Sequence, residues 1–463
     1  MGKPGDQIRS VIRQWYHSRL ALVLESIVIG FAVGFVIVAF RYLLLRADSL
    51  RQGIYEALPG LPLSRTLGWS AALVLVGLFL GWSAKARPMI KGSGIPQIKG
   101  VLQGKMSMNW MPDLPLKMFT GLLGLGTGLS LGREGPSIQI GAYIGEGVLS
   151  ILPRPGRIGK FLIVSASAAG VSAAFNAPLA GVLFVLEELQ ASPEDPSAQA
   201  AGAGKNVFSP LFLACAMGAS MAADVTAGFF FGRQPVFDFR NLTPLPIGTI
   251  PWVILLGITC GFLGDLFKRL LYFFQSMYGY FRIPELVRPV LPLLASVPLG
   301  FFLYDITGGG HALIESLSRQ DRTLGMIGLL LGGKFLFTAL CYGSGTSGGI
   351  FLPLLACGAL TGSGLGKILA QAGLTSGEQL LNFMILGMAA FFTGVVKAPV
   401  TGILLILEMS GNFNHLGNLV LAALSTLVTS DLIASRPVYS VLLERMLAVQ
   451  GRAFGGRAEI PRG

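Results

Sequence analysis

Residues 131–145 read LGREGPSIQIGAYIG, with Arg133 and Glu134 side by side in a run otherwise uncharged from Lys117 to Glu146. Burying a carboxyl group in so apolar a stretch is costly, so an acid there is read first as functional. Gly132, Gly135 and Pro136 fence the pair. Glycine lets backbone approach a ligand closely, and proline suits the first turn of a helix. The same punctuation recurs inside other hydrophobic stretches, in GSGIP (92–96), NAP (176–178), GSGTSGGIFLP (343–353) and KAP (397–399). Each reads as a break from which a new helix starts with its first amides uncovered. Such an end offers unpaired N–H groups and about half a positive charge, which makes it an anion site. Several of them converging in mid-membrane would hold a small anion weakly enough to release it again. The hydroxyls of Ser93, Ser344, Thr346 and Ser347 would complete the coordination. A cation site would instead carry acids at the breaks, and here only one of the five does. That acid, Glu134, becomes a competitor: ionised, its carboxylate takes the amides a permeant anion needs, and protonated it gives them up. A simple Arg133–Glu134 bridge is the plainer alternative, disfavoured because adjacent residues on a helix point apart.

The elements that must position these residues are membrane spans. Hydrophobic residues make up 52% of the 463 and charged ones 13%, about half the charge of a soluble protein, and the mean hydropathy is +0.66. Long apolar runs, including 26–40, 67–84, 161–186, 248–263, 379–396 and 398–407 with their flanks, predict an all-α polytopic membrane protein. The net charge of +12 is no nucleic-acid signal. Its arginines and lysines gather before the first span (Lys3, Arg9, Arg13, Arg19) and after the last (Arg445, Arg452, Arg457, Arg462), which places both termini in the cytoplasm. Four cysteines in apolar runs and three histidines in all give no disulfide framework, no metal spacing and no cofactor signature. GTSG (345–348) has the form of an intramembrane serine protease motif, but His311 and His415 sit in turn-like contexts, so the chain does not read as an enzyme.

The chain is also duplicated. GREGPSIQIGAYIG from Gly132 and GIFLPLLACGALTG from Gly349 share G-x-x-x-P-x-x-x-x-G-A-x-x-G at an offset of 349 − 132 = 217. APLAGVLFVLE from Ala177 and APVTGILLILE from Ala398 share a second pattern at 398 − 177 = 221. We therefore expect a cytoplasmic segment 1–19, a first transmembrane repeat 20–225, a second 226–447 and a short cytoplasmic tail 448–463. Duplicated membrane halves are commonly inverted, with substrate held at their interface, although the repeat alone leaves a parallel arrangement open.

GSGIP, GREGP and GIFLP, in this order and far apart, resemble the three anion-pathway signatures of the CLC family of chloride channels and transporters, over about residues 20–447. The resemblance implies an inverted-repeat fold with many tilted and discontinuous helices, assembled in the lipid membrane as a homodimer with one pathway per subunit. Ser93 resembles the family's central-site serine, Ile350 and Phe351 its backbone amide donors, and Tyr439 the tyrosine closing the inner side. Taken alone, Tyr439 would pass for an interfacial aromatic. Glu134 resembles the external gate, with the amides of Arg133 and Gly135 lining the outer site. In the pair Glu187–Glu188 the first residue matches Glu408 of the second half and reads as structural. Glu188 faces Met409 in that comparison and resembles the inward-facing proton-transfer glutamate of the exchangers, though by itself it is an ordinary interfacial carboxylate. The expected activity is exchange of chloride for protons, the alternative a passive chloride channel. Ser93 favours chloride over nitrate or fluoride. Gln97 and Lys99 stand where bacterial exchangers often have acids, and Ser347 where a proline is common. The absence of a long hydrophilic stretch after Met446 points to a bacterial protein of the cytoplasmic membrane.

Overall fold

The computed structural model describes residues 19–58, 62–154, 156–189, 209–237, 239–240 and 242–453. Most of the two expected terminal segments, 1–18 and 454–463, lies outside them. A bilayer core offers no water to backbone groups, so the chain must satisfy them by helix or closed barrel. Here it uses helices. Among the described residues there are seventeen α-helices, eight of them long and apolar enough to cross a membrane. The first eight are α1 (Arg19–Ala57), α2 (Leu63–Ala86), α3 (Ile95–Leu102), α4 (Trp110–Gly126), α5 (Glu134–Ile151), α6 (Gly156–Phe175), α7 (Pro178–Phe184) and α8 (Pro210–Phe231). The next eight repeat them: α9 (Ile250–Tyr280), α10 (Val290–Phe302), α11 (His311–Arg319), α12 (Leu324–Gly343), α13 (Phe351–Gln371), α14 (Leu380–Val396), α15 (Pro399–Ser410) and α16 (Leu416–Leu432). A last helix, α17 (Val438–Ala453), has no counterpart among the described residues of the first half. Helix α8 runs across residue 225, so the connection between the repeats follows Phe231.

Side-chain contacts repeat with the helices. Lys117 on α4 is fully buried and donates to the carbonyls of Ile90 (2.9 Å) and Gly92 (2.8 Å). Its equivalent on α12, Lys334, donates to Ile306 (3.0 Å) and Gly308 (2.7 Å), at the same offset, 334 − 117 = 217. Arg41 of α1 bonds Ala173 O (2.5 Å) near the end of α6, as Lys268 of α9 bonds Gly394 O (3.0 Å) near the end of α14. Each of those helices ends at a residue in the left-handed region, Asn176 (φ 54°) or Lys397 (φ 63°), which is followed by Ala-Pro. The apolar run 161–186 is therefore two helices rather than one span.

Glutamates at the ends of α7 and α15 reveal how the halves are related. The Glu187 carboxylate accepts from the amides of Val400 (3.2 Å) and Thr401 (2.7 Å) at the start of α15. In return Glu408 accepts from Leu179 (3.1 Å) and Ala180 (2.8 Å) at the start of α7. Equivalent helices thus lie side by side in opposite directions, so the two halves are inverted. Each cap also satisfies orphan amides and places a negative charge at a helix N-terminus. Replacing either glutamate by alanine should cost about 1–3 kcal/mol and lower the melting temperature in detergent. Unfolding of both variants at the parent temperature would show that these caps carry no stability.

Close helix approach uses small residues, as expected where lipid replaces water as solvent. At the α13–α14 crossing a Cβ on Gly358 would lie 2.4 Å from Gly387 O, and one on Gly387 2.3 Å from Gly358 O. Helices α5, α6, α13 and α14 form the buried centre, whereas α1 presents Leu24, Val28, Phe31 and Phe35 outward.

Candidate functional site

The centre of the molecule is a meeting of helix starts. Gly132 N–H donates to Gly349 O (2.6 Å) and Gly349 N–H to Gly132 O (2.7 Å). These glycines are equivalent in the repeat, so their reciprocal pair marks the axis relating the halves. Immediately after them begin α5, with Arg133 at its cap and Glu134 as first residue, and α13, with Ile350 at its cap and Phe351 as first residue. Gly348 N–H donates to Gly92 O (3.0 Å), which brings in the GSGIP loop and the start of α3. A Cβ on Gly135 would stand 2.8 Å from the Cβ of Ser93, and one on Gly349 3.0 Å from the nitrogen of Gly135. Ser93, Gly135, Ile350 and Phe351 are thus gathered around one glycine crossing, and the backbone approach needs glycine there. The first amides of each helix have no intrahelical acceptor. The Phe351 ring anchors the start of α13 among Phe392, Phe175 and Phe184, at centroid distances of 4.7, 5.0 and 6.1 Å.

Glu134 is fully buried. Its carboxylate lies against its own amide and that of Leu352 in the first turn of α13, closing no well-aligned hydrogen bond with either. A Cβ on Gly132 would fall 2.1 Å from its Oε2, so only glycine leaves room for this position. Arg133 turns away and donates to Ala174 O (3.4 Å), forming no ion pair with Glu134. Tyr439, near the start of α17, is fully buried, with a hydroxyl that has no partner. Helix α17 packs on α3, and the Tyr439 ring shares its surroundings with Tyr342, Glu188 and Glu134.

Glu188 lies in a single π-helical turn, Val185–Leu189, that extends α7. Such turns re-aim side chains and recur at functional sites. One oxygen of Glu188 accepts from Lys99 Nζ at 3.1 Å, and the same ammonium reaches Ser440 Oγ at 3.0 Å.

Sequence reasoning missed several participants. Lys117 puts a side-chain donor, its Nζ, on Gly92 O, next to Ser93, a contact that the helix-start pattern does not announce. Its signal was available in the 217-residue offset to Lys334. Tyr342 lies against Ser93, and nothing near it in sequence announced this. The stretch GGGHA (308–312) is the counterpart of GSGIP, with Gly308 and Gly310 in the left-handed region like Gly92 and Gly94, yet the two share little beyond glycine. The Gln97 departure has a local reason: its amide donates to Lys91 O (2.5 Å), which a carboxylate could not do. Nothing in the structure explains Ser347, which is buried with its hydroxyl unpartnered.

Comparison with known proteins follows the same lines. The family described as voltage gated chloride channel matches residues 76–431. The chain is similar to the H(+)/Cl(-) exchange transporter ClcA of Citrobacter koseri, 33% identical over 96% of this chain and 93% of that protein. Against ClcA of Yersinia pseudotuberculosis the identity is 31%, covering 98% and 93%. Among solved structures, a slow cyanobacterial Cl−/H+ antiporter superposes with a TM-score of 0.86 at 28% identity, over 94% of this chain and all of that one. A CLC-type fluoride/proton antiporter gives 0.70 at 25%, covering 89% and 95%. Inverted halves, interrupted helices meeting at glycines, and these likenesses across nearly the whole chain lead to one conclusion: the protein is a member of the CLC family of chloride channels and transporters.

Proposed function

We propose that the chain is a secondary antiporter exchanging chloride for protons, gated by Glu134. The observation that carries this reading is the position of the Glu134 carboxylate, against amides at the start of both central helices. An anion and a carboxylate need the same donors, so they exclude one another. Protonation removes the negative charge and with it the claim on those amides. Chloride then sits among the Ser93 hydroxyl, the Ile350 and Phe351 amides and the Tyr439 hydroxyl, and the Arg133 and Gly135 amides serve an outer position. Glu188 receives protons at the inner end of the route. The relatives named as chloride/proton exchangers support antiport over a passive channel. We place the protein in the bacterial cytoplasmic membrane as a homodimer, with both termini cytoplasmic and the two transmembrane repeats joined after Phe231. No bound cofactor enters the cycle.

Purified protein in chloride-loaded liposomes tests the reading. With a chloride gradient as the only driving force, protons should enter in fixed proportion to chloride leaving. Chloride flux without proton movement would make the protein a channel, and no flux of either would leave it a membrane scaffold.

A further inference from the structure

Lys99 and Glu188 form an ion pair that the duplication does not require. The equivalent positions of the second half carry Glu315 and Met409. Both side chains are withdrawn from solvent, at 9% and 4% exposure, and three elements meet in the contact. Lys99 lies on α3, which opens just after Ser93. Glu188 lies on the π turn after α7, and Ser440 on α17 beside Tyr439. Around the Glu188 carboxylate stand the Lys99 ammonium from α3, Tyr439 from α17 and neighbouring Glu187, itself engaged with the amides of α15. Lys99 is thus the cation facing it.

Separating a buried pair is expensive because it strands one charge without a partner. A proton adding to a Glu188 oxygen does this to Lys99, which keeps its own protons and loses the carboxylate. We propose that Lys99 is the positioning residue of the inner proton step: it holds Glu188 ionised and tied to α3 and α17, so that proton arrival releases the two elements bearing Ser93 and Tyr439. Loading the proton and loosening the inner end of the anion site then become one event. The inference rests on the reading of Glu188 given above.

The full chain in liposomes, with proton and chloride fluxes followed against pH, decides it. Lys99→Met should still move chloride, but with an altered proton-to-chloride ratio. The midpoint of its proton flux should move upward by about one to three pH units, because a carboxylate without its cation takes a proton at lower proton concentration. Lys99→Arg should restore the parent midpoint, which a loss of packing alone would not explain. Parent-like ratio and midpoint in Lys99→Met overturn the proposal. Glu188→Gln separates the two layers. If it still couples protons, the reading of Glu188 fails and takes the proposal with it. If it uncouples them while Lys99→Met behaves as the parent, the lysine role alone falls. Should Lys99→Met not fold, the double variant Lys99→Met/Glu188→Gln has no stranded charge. Its chloride flux should equal that of Glu188→Gln alone, and a further loss would show that Lys99 acts elsewhere.

Discussion

Glu134→Gln is expected to stop proton movement while chloride continues to cross. Glutamine keeps the shape of the side chain but can neither take up nor release a proton in the cycle, and its neutral amide does not compete with an anion for helix-start amides. The carboxylate lies against its own amide and that of Leu352, so the substitution acts where we propose that the two ions meet. Loss of a positioned proton-transfer group should reduce proton flux by at least about a hundredfold. Chloride flux should persist and lose its dependence on a proton gradient. Simultaneous pH and chloride recordings on liposomes check both. Protons still moving in the variant would remove Glu134 from the route, and a parallel collapse of both fluxes would assign it a structural role only.

Lys117→Met should be the most damaging single substitution for stability near the site. The lysine is fully buried and satisfies two carbonyls, Ile90 and Gly92. Methionine fills the space and offers no donor, so the Ile90 carbonyl is orphaned at about 1–3 kcal/mol, and Gly92 O keeps only the Gly348 amide. Since Gly92 precedes Ser93, the loop that presents the serine loses one of its two ties there. Thermal unfolding in detergent should show a large drop, together with loss of the stabilisation that added chloride is expected to give the parent. Lys334→Met removes the same two bonds from Ile306 and Gly308, where glycine replaces the serine. It should destabilise comparably while leaving the chloride-dependent stabilisation in place. A Lys117→Met variant that melts as the parent does, and still responds to chloride, would contradict this account.

Helix starts, breaks and the duplication were legible in sequence because their signals are local. Glycine and proline constrain the backbone wherever they stand, and GREGP and GIFLP announce α5 and α13 at their first turns. The break at Asn176–Pro178 was legible too, although hydropathy alone runs straight through it. What could not be read depends on contacts across the chain. A lysine inside an apolar helix gives no hint that its partner carbonyl lies 25 residues upstream, as Gly92 does for Lys117. The ion pair of Lys99 and Glu188 spans 89 residues, and only the unusual residue type at position 99 drew attention to it. Inversion came from the family resemblance and not from the repeat itself, since a repeated pattern is the same string in either orientation. The crossed caps of Glu187 and Glu408, which in sequence read only as a matched pair of helix-end acids, show it directly.

The reciprocal bonds between Gly132 and Gly349 carry a consequence for vectorial transport. A frame whose two copies meet on such an axis looks alike from either face of the bilayer, and so has no built-in inside or outside. Any polarity must come from places where the copies disagree. Around the site they include Ser93 against Gly309, Glu134 against Phe351, Lys99 against Glu315 and Glu188 against Met409, and a final helix bearing Tyr439 with no counterpart among the described residues of the first half. The direction from which each ion is met is thus written in the residues by which the two copies diverge, on a frame that is itself ambidextrous.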